Sequence, residues 1–128
     1  MDEVLSDKLR RNRVVYAALS AAGCIFAASP FFTSLRGDVG SFAALLVFLV
    51  LGSVGGYHHG SVWLALKEYW KTQGMAVPPA AHWWGFTART DTSMLPADAQ
   101  YHQASLRIAT GLGLLPLLVL AVVSMAHQ

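Results

Sequence analysis

The sequence predicts an all-α integral membrane protein with three transmembrane helices. The N-terminus is cytoplasmic, the C-terminus periplasmic, and a long cytoplasmic connection joins the second and third helices. Three observations predict this. Hydrophobic residues make up 55% of the 128 residues and charged residues only 12%, against about 25% charged in a soluble domain. Three runs stay apolar over the roughly 20 residues that cross a hydrocarbon core as a helix. The basic residues are also lopsided. Lys8, Arg10, Arg11 and Arg13 precede the first run, and Lys67, Lys71, Arg89 and Arg107 flank the long connection. Arg36 stands alone in the first link, and none follows the third run. Lys and Arg stay on the cytoplasmic side, which requires an odd number of spans with the N-terminus inside.

Residues 1–13 are polar and mixed in charge, a solvated tail with a turn or two of helix along the membrane surface. Span one covers 14–35 and carries no charge, with Pro30, Phe31 and Phe32 near its far end, where proline kinks or ends a helix. The run exceeds the apolar core of a signal peptide and lacks a convincing processing site, so it reads as a retained span. The link 36–40, RGDVG, is turn-like and short enough to force an antiparallel hairpin. Span two covers 41–70, its apolar part 41–66, and ends in Lys67, Glu68, Tyr69 and Trp70, residues suited to the headgroup level. In the connection 71–107, Pro78-Pro79 interrupts any helix. A new helix can start at Pro96 with Asp98 in its first turn and run into span three, 108–126. Pro116 implies a kink there, tolerable where a neighbour satisfies the freed carbonyl. The chain is one membrane domain.

A net charge of +2 is too small to argue for nucleic acid. The single cysteine, Cys24, lies in an apolar run and has no intramolecular partner. No nucleophile motif, phosphate-binding glycine loop or carboxylate pair is present, and the histidines show no metal spacing.

The most informative stretch is Gly52-Ser-Val-Gly55-Gly56-Tyr57-His58-His59-Gly60. Gly52, Gly56 and Gly60 recur every fourth residue, a strip where another backbone can approach closely, within the chain or from a partner. At 100° per residue, His59 and Trp63 fall on the same strip while His58 points away, nearer the face of Tyr69. His59 is therefore the histidine expected at the packing interface. It would either hydrogen-bond across that interface or ligate a b-type haem, since histidine inside a helical bundle is an ordinary haem ligand. A proton relay or quinone contact is the further alternative.

With His58-His59, then Trp63 and Glu68-Tyr69, the chain resembles the membrane-anchor subunits of succinate dehydrogenase. Those are also short three-span proteins, with a histidine in span two and an Asp-Tyr toward its cytoplasmic end. The resemblance covers about a dozen residues and the topology, and the family's spacing would place its ligand at Tyr57. It implies haem at His58 or His59 and a quinone contact at Tyr69.

His82, His102 and His127 read as solvated or interfacial, Glu68 as an ion-paired helix end, and Asp91 and Asp98 as loop or helix-start acids. Trp83, Trp84 and Phe86 read as interface anchors or as a docking segment for a partner. The function expected is a small non-catalytic accessory subunit of a bacterial inner-membrane assembly, whether respiratory, photosynthetic or of type IV secretion and conjugation. Its partners would be the bilayer and other membrane subunits. The alternatives are a haem b-binding, quinone-reactive anchor and a self-assembling pore or pilin-like protein.

Overall fold

A computed structural model describes residues 2–34 and 36–126; His127 lies outside the described residues. Every element among them is helical: α1 (Glu3–Ala28), a 3-10 turn (Ser29–Phe31), α2 (Gly37–Thr72), a second 3-10 turn (Pro79–His82), α3 (Trp84–Arg89) and α4 (Ala97–Ala126). Among the described residues three helices are long and apolar enough to cross a membrane, and each packs against the other two.

Helix α1 starts where Asp2 accepts the Leu5 amide at 2.8 Å, a side-chain N-cap. No proline stands between Glu3 and Ser29, so the polar tail and span one form one continuous helix rather than a separate surface turn. Pro30 falls in the 3-10 turn that closes it. The following link is shifted from the expected 36–40, because α2 already begins at Gly37 with Asp38 in its first turn.

Helix α2 runs 36 residues, about 54 Å at 1.5 Å per residue. Its buried positions are Gly40, Ala44, Leu51, Gly55, His58, Val62, Leu66 and Trp70, a single face at steps of three, four and seven. It stops in a Schellman turn. Gly74 adopts φ +69°, its amide donates to Lys71 O at 3.2 Å, and the Met75 amide donates to Trp70 O at 2.8 Å. Helix α4 runs unbroken from Ala97 through what the sequence divides into a connecting helix and span three.

Pro116 lies inside α4 and is buried. Proline has no amide to bond the carbonyl four residues back, which here belongs to Leu112. Ser20 of α1 donates its hydroxyl to that carbonyl at 2.7 Å. Gly23, one turn along α1, makes room for the ring, since a Cβ there would come within 2.9 Å of Pro116 Cγ.

Two apolar clusters result. One joins Tyr16, Leu51 and Ala109 inside the three-helix bundle. The other joins Val62, Leu66, Trp70, Ala81, Leu95 and Ala99, so that the connection folds back on the far half of α2. Between them lies a polar layer containing buried Thr87, His58, His102, Gln103 and Ser105.

Candidate functional site

The polar layer is built by one face of each long helix. Asn12, Tyr16 and Ser20 follow at successive turns of α1. Asn12 Nδ2 donates to Tyr101 Oη at 2.8 Å and to Ser105 Oγ at 3.2 Å. Tyr16 Oη lies 3.0 Å from His58 Nε2. On the other side of that ring, His58 Nδ1 lies 2.8 Å from His102 Nδ1. His102 Nε2 in turn lies 3.5 Å from Asp98 Oδ2. The result is a four-residue chain, Tyr16–His58–His102–Asp98, running from a buried phenol to a carboxylate that is 73% exposed. Tyr57 and Tyr101 set their rings edge-on against both imidazoles, with centroids 5.0–6.0 Å away.

His58 rather than His59 faces the bundle, 3% exposed, and His102, expected to be solvated or interfacial, is 8% exposed. Angular spacing along α2 says which residues share a face, not which face points inward, and the face that packs within the chain is the one bearing Gly55 and His58. Gly52 and Gly60 have nothing within 4 Å of a Cβ position, and Gly56 meets only the Trp84 ring, at 3.6 Å. Close helix packing uses other glycines. A Cβ at Gly113 would lie 3.2 Å from Leu51 Cβ, and one at Gly40 would run into the carbonyl of Phe26.

His59 and Trp63 face the folded-back connection. His59 stacks on Trp84 with centroids 5.7 Å apart and planes at 5°. Its Nδ1 is 2.6 Å from Thr87 Oγ1, whose own proton goes to Trp84 O at 3.0 Å. His59 therefore carries its proton on Nδ1. Trp63 packs near His82, with Lys67 over its ring at 5.0 Å, and its indole N–H is buried without a hydrogen-bond partner.

The tryptophan pair splits. Trp83 is 75% exposed. Trp84 wedges between α2 and α4, its Nε1 donating to Thr110 Oγ1 at 2.8 Å. A Cβ at Gly55 would stand 2.5 Å from its ring, so this glycine is the seat of the indole. Phe86 packs on Trp70. Gln103 ties the wedge to α4 by donating to the carbonyls of Thr87 and Thr90 while accepting from Thr92.

The arrangement bears on the haem expectation through nitrogen lone pairs. Both His58 nitrogens are engaged within the chain, so as folded His58 offers none to iron. His59 is bonded through Nδ1, to Thr87. Tyr69 is not brought to either histidine: it sits about 15 Å further along the same helix, beside Leu95. Spacing could have revealed two residues of the chain. Asn12, Tyr16 and Ser20 repeat every fourth position in α1, and Asp98 precedes His102 by four.

No family model, no curated protein and no solved structure matches this chain.

Proposed function

We propose that this chain is a small accessory subunit of a larger bacterial inner-membrane assembly, with the end bearing Arg13 and Arg107 in the cytoplasm. One observation carries the reading. Between α2 and α4, beside Trp84, lies an open groove of about 440 Å³ with a floor of small residues, Gly52 and Ser53 on α2 and Ala109, Thr110 and Gly113 on α4, flanked by Phe48, Leu49 and Leu114. In a bilayer, helices associate through small residues that admit a close neighbour, not through apolarity. A groove of this kind suits a side chain or helix from another subunit.

The cross-helix bonds support a placement in the bilayer. Arg13 and Arg107 lie at matching heights because their neighbours Asn12 and Ser105 are bonded, and α2 reaches that height near His58, which meets Tyr16. From Val39 to His58 is about 30 Å of helix, the thickness of the hydrocarbon core. The histidine pair would then sit at the headgroup boundary, and α2 beyond it would stand in water under the connection.

Gly52→Leu tests the assembly reading. Nothing in the chain lies where the new side chain would begin, so thermal stability in detergent is expected to stay at the native value. Co-purifying subunits are expected to be lost. Gly55→Leu is the contrasting variant, because its side chain collides with Trp84 and the fold itself should suffer. If gentle extraction yields only this chain, or if Gly52→Leu retains every partner, the assembly reading fails.

A further inference from the structure

We propose that Tyr16, His58, His102 and Asp98 form a proton relay at the basic end of the bundle, whose ligand is a single proton shared between His58 and His102. It stands independently of the accessory-subunit reading.

The bonding pattern carries the proposal. The two Nδ1 atoms face one another at 2.8 Å, a separation at which one of them must carry a hydrogen. With both rings neutral and Asp98 ionised, one tautomer set satisfies every link. Tyr16 O–H donates to His58 Nε2, His58 Nδ1–H donates to His102 Nδ1, and His102 Nε2–H lies 3.5 Å from Asp98 Oδ2. With one more proton aboard, His102 becomes an imidazolium paired with the Asp98 carboxylate. Its Nδ1–H then donates to His58 Nδ1, and His58 Nε2–H donates to Tyr16 Oη. No other arrangement among the described residues places two imidazoles nitrogen to nitrogen.

The loaded chain can discharge at either end, and protons balance both ways. Outward, the His102 Nε2–H bond breaks and the proton passes by Asp98 to water, leaving the opposite neutral tautomers, His102 Nδ1–H and His58 Nε2–H, with His102 Nε2 unprotonated beside Asp98. Inward, three protons each move one place. His102 Nδ1–H breaks as His58 Nδ1–H forms, His58 Nε2–H breaks as Tyr16 O–H forms, and the hydroxyl's former proton goes to a water molecule. No electrons move. The titratable and charged groups around the pair are Tyr16 and Lys8 from α1, Tyr57 from α2, and Asp98 and Tyr101 from α4. No carboxylate other than Asp98 is bonded to the two rings among the described residues.

The test is nitrogen NMR of the full chain, histidine-labelled and held in lipid nanodiscs. The expected result is a scalar coupling between the two Nδ1 nuclei and one shared pH transition in which both rings change together. His102→Gln should abolish the His58 transition. Asp98→Asn, at an exposed position, should move the shared transition with the helix content unchanged by circular dichroism. Three results would each overturn the relay: independent titration of the two rings, a single fixed His58 tautomer through the whole pH range over which the chain stays folded, or a stoichiometric metal ion in place of the coupling.

Discussion

Ser20 and Pro116 show how a residue-scale rule survives in a membrane. A buried carbonyl left without a donor costs about 1–3 kcal/mol, and Pro116 would orphan Leu112 O if Ser20 did not donate to it. Ser20→Ala is therefore expected to destabilise the protein by about that amount in reversible unfolding from detergent. In a Pro116→Ala background the restored amide at 116 can reach Leu112 O, and the same serine substitution should cost far less. A double-mutant cycle with no coupling between the two positions would contradict this account. Trp84 offers a second check. Thr110→Val removes the acceptor of its indole N–H and should cost about 1 kcal/mol, with the largest loss of protection in the connection.

At the scale of elements, the Schellman turn at Gly74 ends α2 and starts the return of the chain toward Trp84. Gly74→Ala puts a Cβ on a left-handed residue with open space around it. The expected loss is about 1 kcal/mol from backbone conformation alone, seen as a lower unfolding midpoint with the three long helices retained by circular dichroism. Much of this layer was legible in the residues. Uncharged runs marked the three long helices, and Pro96 with Asp98 marked the start of α4. Two things were not legible. Lipid-facing and core-facing sides of a membrane helix are equally apolar, so the glycine strip and the His58 face could not be ranked from α2 alone. The adjacent Trp83 and Trp84 look identical in sequence, and only the indole seat at Gly55 with the hydroxyl of Thr110 separates a surface ring from a wedge.

For the whole molecule, the proposed bilayer boundary near His58 has a direct test. With Cys24 replaced by serine, single cysteines at Leu49 and Leu64, both exposed on α2, should differ in reaction with a water-soluble maleimide in vesicles permeabilised to both sides. The position at 64 should label and that at 49 should not; equal labelling would move the boundary. Trp83 projects into the surroundings, and the very next ring wedges between α2 and α4. The exposed indole and the ring seated between two helices are thus one peptide bond apart, so a contact made at the surface by Trp83 is covalently next to the packing of α2 against α4.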